Sequence, residues 1–255
     1  MTYHIKRYGW LPDVPDQRDH VYAAPSGVLK KLPAKVDLRP QCPPVYNQGD
    51  LGSCTANAIA AAVQFDRMKQ NLKPAFAPSR LFIYYNERAI EGTVDHDSGA
   101  MIRDGIKSIA KQGECAEAHW PYEVASFAHK PSAACYKEAI KYRAVQYQRL
   151  ARTLNEMKGC LASGYPFAFG FTVYESFETE QVARTGMMSM PAAREHVLGA
   201  HAVLAVGYDD SDERFIVRNS WGTEWGLSGY FKMPYAYCAS ANLSDDFWTV
   251  RLIAA

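Results

Sequence analysis

The stretch NQGDLGSCTANA at residues 47–58 decides how the first half of the chain folds, because a glycine-containing turn runs here into an alanine-rich segment. Alanine is the strongest helix former, and apolar residues recur at helical spacing further on, so a helix is predicted from Ser53 to about Lys69. Cys54 then lies at the helix N-terminus, where free N–H groups and the helix dipole favour a thiolate. The alternative for any lone cysteine is a buried, inert thiol.

Outward from this helix, the chain divides into a helical half and a strand-rich half. Ser98 is the expected N-cap of one further helix, and Thr153 with Glu156 has the spacing of a capping box. The other predicted helices are 79–91, 98–112 and 153–163, and the predicted strands are 167–174, 201–208, 214–221, 229–233 and 247–253. A helical half followed by an antiparallel sheet predicts an α+β chain with two lobes.

Composition excludes several classes of protein. The 255 residues carry 28 basic and 27 acidic side chains, so bulk charge favours neither a nucleic-acid nor a membrane partner. No apolar run reaches the length that a bilayer span needs. The six cysteines are too few for a disulfide scaffold and form no CxxC pair, which argues against a zinc ribbon or a thioredoxin-type site. The N-terminus lacks a signal-peptide core, so the expected compartment is the cytoplasm or one reached without a visible signal.

Two later residues match what a cysteine nucleophile needs, which is a base and a group that orients the base. His201 is expected to open one predicted strand, and Asn219 is expected to lie at the end of the next. If these strands form a hairpin, the Asn219 side chain can accept the imidazole N–H and turn the second ring nitrogen towards Cys54. A strand histidine by itself is more often a satisfied structural residue, so the prediction rests on all three segments together.

These segments resemble the papain-like cysteine peptidases (family C1), and the resemblance covers about 220 residues from Leu32 onward. The matching motifs are LPAKVDLR at 32–39, Gln48-Gly49 with Gly52-Ser53-Cys54, WPY at 120–122, His201-Ala-Val with Val206-Gly-Tyr, and Asn219-Ser-Trp-Gly with Trp225-Gly and Gly229-Tyr. The resemblance implies a two-lobed papain-like fold with the active-site cleft between the lobes. The left lobe would be helical (about 45–145), and the right lobe an antiparallel sheet or barrel (about 32–44 plus 146–255).

The resemblance also implies a mechanism. Cys54 would attack a peptide carbonyl and form a thioester, with His201 as general base and acid and Asn219 setting the imidazole tautomer. The Gln48 side chain and the Cys54 backbone N–H would hold the oxyanion. Trp221 is expected to shield the hydrogen bond between His201 and Asn219, and a purely structural place in the lobe core is its alternative.

The resemblance also implies a set of substrate-binding residues. Ser98, Gly99 and Ala100 stand where the family has a glycine-rich edge that pairs with substrate backbone, although a helix N-terminus explains them equally well. Ala200 and Gly170 are expected to border the main specificity pocket. Both are small, which predicts room for a bulky apolar or aromatic side chain.

The chain departs from the usual family pattern in three ways. Leu51 replaces the usual cysteine three residues before the nucleophile, and Thr55 replaces the usual aromatic residue after it. The proline-rich arm at residues 1–31 stands in place of a long helical propeptide. These features look most like the bacterial xylellain-like branch, and the arm is expected to lie across the cleft as an inhibitory propeptide. The alternative is that it straps the back of the molecule.

The remaining expectations are negative or open. Apart from Cys54, five cysteines are left, so at most two disulfides can form, and the sequence does not say which. His96, His119, His129 and His196 lack metal-ligand spacing and are interpreted as surface or structural residues. A peptide or protein substrate, no cofactor or metal, and a monomer are expected. The alternatives are a catalytically silent papain-fold binding protein and a Cys-His acyl transferase, although the latter normally uses Asp as its third residue.

Overall fold

A computed structural model describes residues 8–254. The helices are α1 (Ser26–Leu29), α2 (Cys54–Lys69), α3 (Arg80–Glu91), α4 (Ile102–Gln112), α5 (Ala133–Ala139), α6 (Leu154–Ala162), α7 (Glu180–Thr185) and α8 (Tyr235–Ala239). The strands are β1 (Trp10–Leu11), β2 (Lys35–Asp37), β3 (Ala100–Met101), β4 (Ala144–Arg149), β5 (Phe167–Tyr174), β6 (Val197–Asp209), β7 (Arg214–Arg218), β8 (Tyr230–Pro234) and β9 (Ser244–Ile253). None of the helices among these residues is long and apolar enough to cross a membrane.

Helix α2 is the axis of the molecule. Thirteen of its sixteen residues are buried, as expected for a helix that is apolar on every side. It packs against α3 and α4 on one side and against β6 and β9 of the sheet on the other. The first residue of α2 therefore lies where the helical lobe meets the sheet lobe.

The second lobe is a seven-stranded antiparallel sheet with the order β4-β9-β5-β6-β7-β8, and β2 adds to β6. The strands are rich in aromatic and β-branched residues, which fit a half-buried pleated surface. Phe167, Phe169 and Phe247 pack ring against ring between β5 and β9. The sheet therefore provides a rigid platform for β6. The predicted α+β, two-lobed fold is confirmed.

The N-terminal arm, as far as it is described, crosses the front of both lobes. Its strand β1 pairs in parallel with β3, joining Trp10 to Ala100 and Leu11 to Met101. Further along, the Arg103 side chain forms an ion pair with Asp19 at 2.6 Å. From residue 8 to residue 25 the arm contains no helix, as its prolines predict, although it makes a turn at residues 16–19. It then forms the short helix α1, which the sequence did not predict.

Three local expectations are wrong. Helix α4 begins at Ile102 with Met101 as its N-cap, because Ala100 and Met101 form β3 and pair with the arm. Thr153 does cap α6, but the Glu156 carboxylate accepts from the backbone N–H of Ala24 in the arm (2.7 Å). Strand β6 begins at Val197, so His201 lies inside the strand and does not open it.

Candidate active site

Cys54 lies at the first position of α2 and is fully buried. Its Sγ accepts a hydrogen bond from the backbone N–H of Ala202 at 3.3 Å, and the N–H groups of Thr55 and Gly9 also point to it. Backbone donors at a helix N-terminus favour a negative charge on sulfur. These donors oppose the effect of burial, which disfavours a charge on the sulfur.

His201 and Asn219 come together from neighbouring strands of the sheet. Strand β6 carries His201, and β7 ends one residue before Asn219. The distance from His201 Nε2 to Asn219 Oδ1 is 2.8 Å, while His201 Nδ1 is buried without a hydrogen-bond partner. Because Nε2 faces an oxygen acceptor, it carries the proton, which leaves Nδ1 free to act as a base.

The Trp221 ring covers the imidazole. It stacks on His201 with centroids 5.0 Å apart and an interplanar angle of 26°. Behind it, Trp225 and Phe177 pack against the Trp221 ring. The aromatic wall keeps water from the His201–Asn219 hydrogen bond and fixes the plane of the imidazole.

Gln48 is buried and held from two sides. Its Nε2 donates to the carbonyl of Leu51 at 3.0 Å, and its Oε1 accepts from the Ser220 hydroxyl at 2.6 Å. Since Oε1 is engaged in this way, the amide nitrogen is oriented and keeps one N–H for an incoming oxyanion. Gln48 and Ser220 also pair through their backbones, which joins the turn before α2 to the segment that carries Asn219.

A second set of contacts supports the turn that carries Gln48. The Tyr122 hydroxyl donates to the Gln48 carbonyl at 2.8 Å and lies 2.5 Å from the Ser53 hydroxyl. The Arg80 guanidinium lies over the Tyr122 ring at 3.9 Å and donates to the carbonyl of Asn47 at 3.0 Å. Sequence reasoning quoted Tyr122 as part of a motif but gave it no role, and it missed Arg80 and Ser220.

The arm covers Cys54 directly through Gly9. The Gly9 carbonyl accepts from the Ala100 N–H at 2.8 Å, as a strand partner would. A Cβ on Gly9 would lie 1.7 Å from the carbonyl oxygen of Gly52, and a Cβ on Gly99 would lie 2.3 Å from the Gly9 oxygen. Only glycine fits at both places, because backbone meets backbone there.

The residues on either side of Gly9 fill pockets next to Cys54. Trp10 lies on Gly170, where a Cβ would be 2.0 Å from the indole, and its Nε1 donates to Asp246 at 3.1 Å. Tyr8 lies beside His201 and Trp221 with centroid distances of 5.9 and 6.4 Å, and its hydroxyl donates to Glu178. Sequence reasoning missed all three arm residues, although an isolated Trp in a polar, proline-rich stretch was a usable signal.

The predicted substrate-binding residues are distributed as follows. Gly99 and Ala100 contact the arm, and Gly170 borders the pocket that Trp10 fills. Ala200 lies half-buried on β6, which packs against β1. Ser98 instead directs its hydroxyl to Thr93 (2.9 Å) and to the Gly99 carbonyl.

Burial changes the protonation of Cys54 and His201. Removal of water raises the pKa of the Cys54 thiol to about 12, although the N–H groups of Ala202 and Gly9 oppose this. Removal of water also lowers the pKa of His201 to about 4, against the effect of its hydrogen bond to Asn219. With the arm in place, both groups are therefore neutral at pH 7. None of the six cysteines is in a disulfide.

Comparison with known proteins agrees with this geometry. The family model described as papain family cysteine protease matches residues 32–245. A peptidase C1-like protein of Acanthamoeba polyphaga mimivirus is 44% identical over 96% of this chain and 87% of its own length. The crystal structure of xylellain, a cysteine protease from Xylella fastidiosa, is 48% identical with a TM-score of 0.91, covering 96% of this chain and 95% of that one.

A more distant structure shares the fold alone. Procathepsin B from Trypanosoma congolense is 18% identical with a TM-score of 0.77, over 96% of this chain and 86% of that one. The predicted resemblance to the papain-like cysteine peptidases is thus confirmed by the family model and by the two relatives above 40% identity. The chain belongs to the papain family of cysteine proteases.

Proposed function

We propose that this protease is a latent enzyme that hydrolyses peptide bonds through a Cys54 thioester and is held inactive by its own N-terminal arm. The observation that carries the proposal is the position of Gly9, whose N–H faces the Cys54 thiol while its carbonyl pairs with Ala100. The arm thereby takes the place that an extended substrate backbone would need.

The proposed reaction follows the positions of the side chains once the arm has left. Cys54 transfers its proton to His201 Nδ1 and attacks the peptide carbonyl, and the oxyanion accepts from the Gln48 amide and the Cys54 backbone N–H. His201 gives the proton to the leaving amine as the C–N bond breaks. A water then loses a proton to His201 and attacks the thioester, releasing the acid and restoring the thiol.

The direction of the arm supports its role as an inhibitor that is not cleaved. Because His201 must protonate the leaving amine, a substrate runs from the Gly170 side, which holds its acyl part, towards His201. The arm runs the opposite way, since Trp10 lies at Gly170 and Tyr8 lies at His201. The Gly9 carbonyl is thus engaged by Ala100 and is not presented to the thiol.

Intact-mass spectrometry after treatment with an epoxide inhibitor of cysteine peptidases tests the proposal. Three proteins are compared: the full chain, a truncation that begins at Leu32, and that truncation with Cys54→Ala. We expect single labelling of the truncation at Cys54, slow labelling of the full chain, and none of the Cys54→Ala variant. Equal labelling of full chain and truncation would keep the peptidase and reject the latency.

Turnover of a peptide library by the truncation completes the test. Hydrolysis products that disappear with Cys54→Ala support the peptidase. Absence of both labelling and turnover in a folded truncation would overturn the proposal and favour a binding protein. Acyl transfer to an added amine in preference to water would favour the transferase alternative.

A further inference from the structure

Four potential metal ligands converge on the helical lobe, away from the catalytic pair. Cys115 Sγ, a ring nitrogen of His119 and a carboxylate oxygen of Glu138 all lie within 4.8 Å of one another, and His119 Nδ1 is hydrogen-bonded to the Glu138 carboxylate. Cys135 Sγ lies 3.7 Å from the His119 carbonyl oxygen, and the Cys135 thiol is a hydrogen-bond partner of Cys115. Sequence reasoning missed this cluster, because the two pairs belong to different segments.

Each pair is held by a separate piece of backbone. Cys115 and His119 lie in the segment that follows α4, where the His119 N–H donates to the Ala116 carbonyl in a turn. Cys135 and Glu138 are three residues apart on α5 and so share one helix face. A turn thus supplies two ligands and a helix face supplies the other two. In this arrangement no single segment has to place all four ligands of a tetrahedral site.

The donor set is the one that zinc prefers. Thiolate sulfur, imidazole nitrogen and carboxylate oxygen bind Zn²⁺ at about 2.3, 2.0 and 2.1 Å in four-coordinate sites. Such lengths put neighbouring ligand atoms roughly 3.3–3.8 Å apart. The most distant ligand atoms therefore have to approach by up to about an ångström, while the hydrogen-bonded His119 and Glu138 atoms have to move apart to admit the ion. Exposed side chains can make these movements, since the His119 and Glu138 side chains are 55% and 26% exposed.

We propose that Cys115, His119, Cys135 and Glu138 form a structural Zn²⁺ site. His119 and Glu138 make the solvent-facing edge through which the ion enters, and the two buried thiols form the floor. Binding replaces each S–H bond by a Zn–S bond and releases the protons to solvent, while His119 binds as the neutral ring.

The charge balance of the cluster is consistent with a cation. Burial, followed by the hydrogen bond to Cys135, raises the pKa of the Cys115 thiol. A divalent ion offsets two thiolates and leaves the single charge of Glu138 at the exposed edge. The small apolar cluster of Cys115, Cys135, Phe82 and Ala139 screens the sulfur side from water.

The site would also stabilise the support of the catalytic turn. Between Cys115 and Tyr122 lies Glu117, which binds the Arg80 guanidinium through two hydrogen bonds of 2.9 and 2.6 Å. Arg80 and Tyr122 are the residues that hold the turn carrying Gln48. A metal that links this segment to α5 therefore makes the support of the turn carrying Gln48 more rigid.

Metal binding to the reduced full chain tests the proposal without any activity measurement. The parent is Cys54→Ser, which removes the competing thiol of the catalytic site. We expect one Zn²⁺ per chain by elemental analysis after desalting, a rise in melting temperature with Zn²⁺, and thiolate-to-metal charge-transfer absorption with Co²⁺. Proton release on Zn²⁺ addition, followed in weak buffer, reports the two thiols.

Substitutions in the same parent assign the ligands. His119→Ala lies at an exposed position and keeps the fold, and it should weaken Zn²⁺ binding by about 100-fold or more, since even outer-shell changes cost 10–100-fold. His129→Ala, an exposed histidine outside the cluster, is the matched control and should bind like the parent.

Three results would overturn the site. They are binding below one equivalent in the reduced parent, equal binding by His119→Ala, and a Co²⁺ spectrum without the thiolate band. A Cys115–Cys135 disulfide that leaves no metal affinity after reduction counts in the same way. Because Cys54 is absent throughout, none of these results depends on the proposed peptidase mechanism.

Discussion

At the scale of single residues, Gln48 is oriented before any substrate arrives. Ser220 holds its side-chain oxygen and Leu51 takes one of its N–H groups, so the remaining N–H has a fixed direction. A donor that does not need to reorganise stabilises a developing oxyanion far better than water does. Loss of this donor should therefore lower the rate of the chemical step more than it weakens substrate binding.

We expect Gln48→Ala in the chain truncated at Leu32 to lower kcat by about 100- to 1000-fold with little change in KM. Steady-state hydrolysis of a fluorogenic peptide measures both constants. Ser220→Ala leaves the amide in place but frees its oxygen, and it should cost less than Gln48→Ala. A Gln48→Ala variant that loses affinity while kcat is kept would contradict the role of Gln48 in the oxyanion site.

The places of Cys54 and Asn219 in the fold could be predicted from sequence, because each stands next to a clear helix or strand pattern. Cys54 opens an alanine-rich helix, and Asn219 follows a run of strand residues. The contacts of Tyr122 and Arg80 were out of reach, since side chains far apart in sequence meet only after the lobes fold. The role of the arm residue Gly9 was missed for another reason. Gly9 and Gly52 touch through backbone atoms, and such a contact leaves no side-chain pattern in the sequence.

At the scale of elements, the segment that leads into β1 lies over Cys54, and its fit depends on one glycine. Just before β1, Gly9 approaches the turn before α2 so closely that a methyl group would overlap the Gly52 carbonyl. We expect Gly9→Ala to release the arm and to raise the rate of epoxide labelling of Cys54 towards that of the chain truncated at Leu32.

Gly27→Ala is the matched control for this change. Gly27 lies in α1 of the same arm, and a Cβ there meets nothing within 4 Å. Its labelling rate should equal that of the unmodified chain. If Gly9→Ala also stayed at that slow rate, the arm would not act by covering Cys54.

The same pairing explains why the start of α4 was predicted wrongly. Ser98 is a good N-cap by residue type, but Ala100 uses its N–H to pair with Gly9, so Ala100 and Met101 form a strand and the helix starts after them. A helix can begin only where strand pairing ends. Helices α2 and α3, which have no such competitor at their N-termini, begin within one residue of their predicted starts.

At the scale of the whole molecule, a carboxyl pair makes the docking of the arm depend on pH. Asp13 of the arm and Asp246 of β9 are both buried, and the Asp13 N–H donates to Asp246 at 2.7 Å. Burial, followed by repulsion from Asp13, raises the pKa of Asp246 to about 7, and burial also raises the pKa of Asp13. Arg149 and Arg103 oppose these shifts, and Asp245 adds to that of Asp246.

The sign of the effect follows from where the proton is bound. A released arm returns both carboxyls to water, where their pKa is about 3.9, so docking takes up a proton between about pH 4 and pH 7. This stabilisation is complete below pH 4 and is lost as the pH rises through 7. We expect the labelling rate of the full chain, divided by that of the truncation, to rise at least about threefold from pH 5 to pH 8.

Asp246→Asn supplies the control, because it keeps a side-chain oxygen for Trp10 and removes the charge. The ratio of labelling rates should then change much less between pH 5 and pH 8. A ratio that falls with rising pH in the unmodified chain would show that other groups control the docking.

The arm belongs to the same chain as the cleft that it covers. A single cut in the arm would therefore change how strongly its N-terminal part binds in the cleft. A tethered segment meets its site at an effective concentration of millimolar order. Arg18, whose side chain is 87% exposed, lies between the residues that cover Cys54 and the part of the arm anchored on α6. Cleavage there breaks no contact in the cleft, yet at micromolar protein it dilutes the freed peptide about a thousandfold. Contacts that keep the arm in the cleft while it is tethered would then be too weak to hold the separate peptide there.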